Sequence, residues 1–498
     1  MNKPETTELA PGLRIPRLLI GLWQVADIER SGHALNPERA ADALAAYAQR
    51  GFTTFDMADH YGSAELIAGR LLARDAGTPL HAFTKWCPAP GRMDAETVQA
   101  GIDERRSRLG VTRIDLLQFH WWQYPHPGYL DAMRQLDRLR REGAIAHLGL
   151  TNFDTDHLRL LVCYGVPIVT NQVSFSLLDR RAAGRMSAFC QESGVRLLAY
   201  GSLAGGFLTD RWVGAAEPTT ISDWSKSKYR RFIDAIGGWE ALQTVLAAAN
   251  IVARKHSVSV ANVAIRWVLD QPAVAAAIVG ARVTERDHGE DNLAVFSFAL
   301  DAEDHARLED TLNSLKPLPG DCGDEYRRAP FLTASGNLGD HLQALATVFE
   351  PVADDRAPGT AGSAAGAPGS RSRVDTGSQW EALAGYCRAV RHGDRILVSG
   401  TTATHGSGEI VCPGDAAAQT VHILDRISAA IESLGGRLDD VVRTRVYLRD
   451  AQKWREVAEV HGRYFGVIRP ANTMLGNAEL IGDYEVEIEA EAIVRAPA

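Results

Sequence analysis

Four side chains in the N-terminal half of the chain are of types that could together protonate a carbonyl oxygen: Asp56, Tyr61, Lys85 and His120. Asp56 ends the strand-like run Phe52-Thr53-Thr54-Phe55-Asp56, and Tyr61 follows on the loop before the next helix. Lys85 stands at the end of the next predicted strand, 80–84, and His120 at the end of the one after it, 114–119. Reducing a carbonyl delivers hydride to carbon and a proton, or a strong hydrogen bond, to oxygen. A phenol has a pKa of about 10 and donates readily near neutrality only if a neighbouring cation stabilises the phenolate. Lys85 can supply that cation, Asp56 can keep it charged and in place, and His120 can orient the oxygen. Taken singly, a strand-end Asp is commonly a cap, a Tyr packs, and a His is a satisfied core group. Four such groups in this order at successive strand ends point to a site.

A site of that kind needs a parallel scaffold, and the chain reads as one. Eight strand-like segments alternate with helices: a short opening strand within 13–24, then 52–56, 80–84, 114–119, 148–150, 167–171, 195–199 and 274–279. Asn36 is a helix N-cap with Pro37 behind it and Gly51 as the stop, Ser63 can cap the next helix, and a further helix is expected over 179–192. An insert rich in Trp, Lys and Arg occupies 210–232. Polar residues gather at strand C-termini, which favours a (β/α)8 TIM barrel within the α/β class.

The 498 residues are too many for one ordinary core, so two or more domains are expected. Residues 357–370 contain only small residues and proline and read as a flexible tether, about 20 Å long as a coil, holding its flanking domains close without rigid docking. The expected division is a barrel at 1–316, an extension at 317–350 packed on it through Tyr326, Phe331 and a stretch from His341, a linker at 351–373, and a small α+β unit at 374–498. A net charge of -9 with no basic run argues against a nucleic-acid partner. The six cysteines are scattered, with no Cys-x-x-Cys and no His pair at ligand spacing, so neither a metal nor a disulfide framework is expected. The N-terminus lacks a signal-peptide core and no window approaches the roughly 18 apolar residues of a membrane span, so the expected location is cytoplasmic, without membrane partners.

Residues 12–300 resemble the aldo-keto reductase superfamily. The resemblance is carried by Asp56-x4-Tyr61-Gly62, Lys85, His120, Gly149-Leu150-Thr151-Asn152-Phe153, Asn171-Gln172, Ala199-Tyr200-Gly201, Gly280-Ala281-Arg282 and Asp291-Asn292-Leu293. It implies a TIM barrel that reduces a small-molecule aldehyde or ketone and binds NADPH across the C-terminal face of the strands. It also implies roles: Tyr61 as proton donor, Lys85 and Asp56 as its tuning pair, His120 as carbonyl orienter. Asn152 and Gln172 would hold the carboxamide and Tyr200 would stack on the nicotinamide, with further cofactor contacts at Ser202, Leu203, Gly280, Arg282, His288 and Asn292. Arg282 would take the 2'-phosphate. Where many NADP-preferring members carry a second arginine, this chain has His288 with Arg286 nearby, which leaves NADP against NAD open. Trp23, Trp86 and Trp121, beside the catalytic positions, are expected to line the substrate pocket, with Trp122 a further candidate.

Residues 380–498 resemble the Rid/YjgF family, with its chorismate-mutase-like α+β fold. The matching stretches include Gly385-Tyr386-Cys387-Arg388, Val441-Val442-Arg443-Thr444-Arg445-Val446-Tyr447-Leu448, Arg469-Pro470-Ala471 and Val486-Glu487-Ile488-Glu489-Ala490. The resemblance implies a homotrimer with ligand clefts, in which Tyr386, Asn472 and Glu489 occupy cleft positions. Active members hydrolyse enamines or imines using an arginine after the Pro-Ala pair. Asn472 stands there, and an amide cannot replace that fixed charge. The expected role is oligomerisation or ligand binding. The alternative is a bifunctional enzyme whose second domain hydrolyses an imine or enamine while the barrel reduces the carbonyl product.

Overall fold

The computed structural model describes residues 3–25, 35–74, 77–221, 223–283, 287–327, 347–353, 371–406 and 408–495. A hairpin of β1 (Thr6–Ala10) and β2 (Leu13–Pro16) opens the chain. Eight parallel strands follow: β3 (Leu18–Gly21), β4 (Thr54–Asp56), β5 (His81–Trp86), β6 (Ile114–Phe119), β7 (Ile145–Thr151), β8 (Ile168–Ser174), β9 (Arg196–Tyr200) and β10 (Val274–Gly280). Each pairs with the next, and β10 returns to pair with β3, closing the expected barrel. The expected opening strand within 13–24 divides in two, the first part in the hairpin and the second in the barrel. Arg17 marks the break, its guanidinium donating to the carbonyls of Val274 and Ala275 at 3.2 and 3.3 Å.

Alternation along the strands sorts the barrel into two cores. Phe83, Leu116, Leu198 and Ile278 point into the lumen and pack with Leu9, Leu13 and Ile15 of the hairpin, which plugs one end. Their neighbours face the helices α1 (Pro37–Gln49), α2 (Ala64–Leu72), α3 (Ala95–Leu109), α4 (Gly128–Arg141), α5 (Thr155–Cys163), α6 (Arg185–Ser193), α7 (Trp224–Ile236), α8 (Trp239–His256) and α9 (Val260–Leu269). Asn36 caps α1 by accepting from the N–H groups of Glu38 and Arg39, whereas Ser63 makes no side-chain cap bond at α2. The expected helix over 179–192 is broken: a 3-10 turn at Arg181–Ala183 precedes α6, and Gly184 between them has φ -90° and ψ -114°, outside helical geometry. The insert contains the larger part of α7.

The second domain is a sheet in the order β11 (Pro351–Ala353), β12 (Arg371–Val374), β13 (Ala389–His392), β14 (Arg395–Thr402), β19 (Val486–Ile493), β17 (Val441–Leu448) and β18 (Ala471–Leu475), with β15 (Thr404–His405) and β16 (Glu409–Ile410) as a separate hairpin. Helices Ala416–Ser433 and Trp454–Phe465 cover one face. The longer helix is buried almost all round. A helix buried on every side needs two neighbours, and this one lies between the sheet and α5 of the barrel.

That placement corrects the expectation of loosely tethered domains. His157 Nε2 is 2.8 Å from Asp425 across the interface, Arg159 pairs with Asp415 at 2.9 Å, and His405 meets Asp131 at 2.9 Å. Asp156 is shared between Arg185 of the barrel and Arg463 of the second domain. The expected linker at 351–373 is also redrawn. Its two ends are the strands β11 and β12, paired antiparallel with Val352 opposite Arg373, so the intervening stretch joins neighbours within one sheet. Residues 354–370 themselves lie outside the described residues. Within the expected extension, Tyr326 packs on the barrel, while Phe349 sits on the second domain, its N–H donating to Ser433 Oγ at 3.1 Å. Phe331 and His341 lie outside the described residues.

Candidate active site

The end of the barrel away from the hairpin carries polar lumen residues where the other end carries apolar ones. Asp56, Lys85, Gln118 and Gln172 meet there. Lys85 Nζ donates to Asp56 Oδ2 at 2.6 Å and to the Met57 carbonyl at 2.9 Å. The side-chain amides of Gln118 and Gln172 donate to Asp56 Oδ1 at 2.9 and 2.7 Å. Asp56 and Lys85 are 4% and 3% exposed, so this charge pair has left water, and the extra donors are what such burial requires. Gly149 on β7 makes room: a Cβ there would come within 2.2 Å of Thr170 Oγ1 and 3.4 Å of Gln118 Cγ.

Tyr61 reaches the cluster from the loop after β4. Its ring lies edge-on to Trp23, with centroids 4.8 Å apart, and Lys85 Nζ is 5.5 Å from its centre. Burial, reinforced by the negative charge of Asp56, holds the phenol well above its ordinary pKa. The expectation that Lys85 depresses it meets a physical obstacle, because the Lys85 charge is already balanced by Asp56. Tyr61 is therefore held protonated. His120, just past β6, is 3% exposed and lies with its ring centroid 4.0 Å from that of Trp122 and 6.0 Å from that of Tyr326.

These groups line one cavity of about 1140 Å³. Asn152, Gln172, Tyr200, Ser202, Leu203, Gly280, Arg282, His288 and Asn292 all line it as well, whereas Arg286 lies outside the described residues. Asn152 has a left-handed backbone, φ 56°, which Asn tolerates better than most residues, and its Oδ1 accepts from the Tyr200 hydroxyl at 2.8 Å. Arg282 pairs at 3.0 Å with Asp223, the N-cap of α7, and Trp23 Nε1 donates to Ser225 Oγ at 3.0 Å, so the insert touches both a strand-end tryptophan and the last strand's loop. Gln24 Oε1 and Ser202 Oγ are buried on the cavity wall with no hydrogen-bond partner among the described residues. A Cβ at Gly280 would stand 2.1 Å from that Gln24 oxygen. Unsatisfied polar atoms beside a glycine-lined wall fit a polar ligand with its own donors and acceptors, such as a dinucleotide.

Two tryptophan expectations are overturned. Trp86 and Trp121 do not line the cavity. Lys85 and His120 face inward, so the next residue in each case faces the helices. Trp86 lies against α3, where a Cβ on Gly101 would be 2.6 Å from its ring, and Trp121 is fully buried with its indole N–H on the Gln123 carbonyl at 2.7 Å. Trp23 and Trp122 line the cavity instead. Asp59, His60 and Cys87 come within 4.8 Å of one another at its edge, but Asp59 already accepts from His60 and the Cys87 N–H, with Arg105 3.8 Å away in the place a cation would take.

Sequence reasoning missed three lining or supporting residues. Gln118 was legible, two residues before His120 and hence on the same strand face. Lys228 and Tyr326 were not, because they arrive from the insert and from beyond the barrel, where no strand register places them. In the second domain, Asn472 and Glu489 fall on opposite faces of the sheet within one chain. Asn472 donates to Thr444 Oγ1 at 2.9 Å on the helix-covered face, while Glu489 accepts from Tyr447 at 2.8 Å and pairs with Arg445 at 3.2 Å on the other. The Arg388 guanidinium lies 5.8 Å from the ring centre of Tyr386.

Comparison with known proteins matches two parts of the chain to two different families. Residues 376–494 match the family model for Endoribonuclease L-PSP. A crystal structure of a member of the YjgF/YER057c/UK114 family from Mycobacterium tuberculosis is 46% identical over 25% of this chain and 99% of that one, with a TM-score of 0.23. For the barrel, the glycerol dehydrogenase of Gluconobacter oxydans is 25% identical over 64% of this chain and 97% of that one, with a TM-score of 0.53. Flagellar radial spoke protein 5 of Chlamydomonas reinhardtii is 30% identical over 216 residues, which is 37% of this chain and only 41% of that protein. The family model for the aldo/keto reductase family matches residues 17–313, which span all eight strands of the closed barrel, and the chain belongs to that family of oxidoreductases.

Proposed function

We propose that the barrel reduces an aldehyde or ketone at the expense of NADPH, with Tyr61 as the proton donor. The observation that carries this reading is the meeting of Tyr61, His120 and the Lys85–Asp56 pair in one cavity with the cofactor positions. The bound nicotinamide cofactor supplies the hydride. The residues of the chain do the rest. Asn152, Tyr200, Ser202 and Gly280 form the wall that would hold the cofactor, and Arg282 would meet a 2'-phosphate. Tyr61, kept protonated by burial, offers its proton to the substrate oxygen as charge develops there, and His120 orients that oxygen. The phenolate left behind would face Lys85 Nζ, 5.5 Å from the ring centre, so the lysine acts on the product of the proton transfer. Trp23 and Trp122 narrow access by water. A Tyr61→Phe variant should lose about 10²–10⁴-fold in the rate of NADPH oxidation with an aldehyde while still quenching in NADPH fluorescence titrations. An unchanged rate over a panel of carbonyls would refute the assignment.

The second domain we assign to assembly as a homotrimer through its outer sheet face. That face exposes Leu397, Leu475 and Ile493 at 43%, 52% and 43%, while the opposite, helical face is occupied by the barrel. We do not extend the proposal to imine hydrolysis, because Asn472 offers an amide where that chemistry needs a fixed positive charge. No helix among the described residues is long and apolar enough to cross a membrane, and the proposed reaction suits the cytoplasm, where NADPH is kept reduced.

A further inference from the structure

One cation on the cavity wall has no part in the proton transfer. Lys228 of α7 is 5% exposed, and its Nζ donates to the Tyr326 hydroxyl at 2.5 Å. Four rings surround the ammonium, those of Tyr326, Tyr200, Tyr229 and Phe232, at 4.7, 4.9, 5.2 and 5.6 Å from Nζ. Among the described residues it forms no ion pair with a carboxylate. Glu325, next in sequence to Tyr326, shares Arg181 with Asp179, each at 2.7 Å, and acts on the ammonium from a distance without touching it. Filling the space between four rings needs no charge, and a methionine would do it without the cost of removing an ammonium from water. A buried cation in direct contact only with π-faces and a phenol still offers its ammonium to whatever enters the cavity.

Tyr326 carries that field toward the reacting groups. Its oxygen accepts from Lys228, which polarises its own O–H into a stronger donor. Its hydroxyl is 3.2 Å from that of Tyr200, and its ring lies 6.0 Å from His120 and 5.7 Å from Trp122, centroid to centroid. Lys228 and Tyr326 line the same cavity as Tyr61 and His120. A carbonyl oxygen held between Tyr61 and His120 would therefore place substituents a few bonds away beside this pair.

We propose that Lys228 and Tyr326 form an anion subsite, and that the carbonyl substrate carries a carboxylate or phosphate a few bonds from its carbonyl carbon. The inference rests on the reductase reading and narrows its substrate class. The test uses the full chain with NADPH and compares kcat/KM within matched pairs: a 2-oxo acid against its methyl ester, and a phosphorylated hydroxyaldehyde against its unphosphorylated form. The wild type should prefer the anionic member of one pair by at least tenfold, and the pair that shows the preference tells carboxylate from phosphate. A hydrogen bond to a charged group contributes about 1.5–3 kcal/mol, so Lys228→Met should cut that preference roughly 10–100-fold. Tyr326→Phe, which keeps the cation and tests the subsite even if Lys228→Met fails to fold, should cut it about three- to tenfold. Equal or better use of the neutral members by the wild type overturns the subsite, as does a preference that survives both substitutions. A loss of NADPH affinity in Lys228→Met that matches its loss of kcat/KM for both members of each pair assigns the lysine to the cofactor and also overturns it. If nitrobenzaldehyde is reduced but no anionic preference is seen, the subsite alone fails. If no carbonyl, nitrobenzaldehyde included, oxidises NADPH, the reductase reading falls with it.

Discussion

Replacing His157 by glutamine tests how the two domains are held together. Its Nδ1 is 2.8 and 2.9 Å from the two oxygens of Asp154, its Nε2 is 2.8 Å from Asp425 of the second domain, and its ring stacks on Tyr124 at 3.4 Å. Burial alone would lower the imidazole pKa, but the two aspartates override it and raise the value to about 10. The folded-state value lies above the unfolded value of about 6.5, so this stabilisation is complete below about pH 6.5 and is lost as pH rises through 10. At 1.36 kcal/mol per pKa unit, the proton is worth about 4 kcal/mol at pH 7 and under about 1 kcal/mol at pH 10. The ring is buried, and loss of one partner from a buried pair costs about 3–5 kcal/mol, which agrees. Glutamine keeps a donor but not the charge. Urea unfolding of the full chain, followed by tryptophan fluorescence, should place His157→Gln about 4 kcal/mol below wild type at pH 7, with the gap closing to about 1 kcal/mol at pH 10. Combining it with Asp425→Asn in a double-mutant cycle should show non-additivity above about 1 kcal/mol, which isolates the part that crosses the interface. A gap under about 1 kcal/mol at pH 7, or one of equal size at both pH values, would refute this account.

Gly149→Ala should destabilise the barrel by about 1–3 kcal/mol and lower its Tm by a few degrees, because the new methyl group meets the buried, branched Thr170 side chain rather than a movable tip; an unchanged melting curve would show slack in the lumen. Light scattering should give a mass three times the 54.1 kDa of one chain, and Leu397→Glu on the outer sheet face should reduce it to that of one chain. A wild-type monomer at micromolar concentration would rule out the trimer.

Strand periodicity is what made the barrel and the inward-facing polar groups readable. A residue at a strand's C-terminal end has only two faces available, so Asp56, Lys85 and His120 could be set together from spacing alone. The same rule, applied one residue further, would have excluded Trp86 and Trp121 and admitted Trp122 and Gln118. Strand β2 of the hairpin runs together with β3 in the sequence because the apolar run through Pro16 hides a change of partner that only tertiary pairing decides. The docked interface was invisible for a similar reason. His157 and Arg463 belong to ordinary amphipathic helices and Asp425 to one whose polar side chains are buried along with its apolar ones, and nothing local marks an exposed charge from one that will be buried against another domain. Composition misled at 351–373, where a glycine- and proline-rich stretch reads the same whether it separates two domains or joins two adjacent strands.

That last point bears on how the protein can be altered. Because Pro351–Ala353 and Arg371–Val374 are hydrogen-bonded partners, the stretch between them begins and ends at the same place, and its length sets no distance between the domains. Closing a loop costs only about 0.6 kcal/mol for each doubling of its length. The stretch could be halved, doubled or made to carry a fluorescent or affinity module, and the spacing of barrel and sheet would not register the change. A reporter inserted there would ride on the outermost strands of the second domain rather than on the barrel.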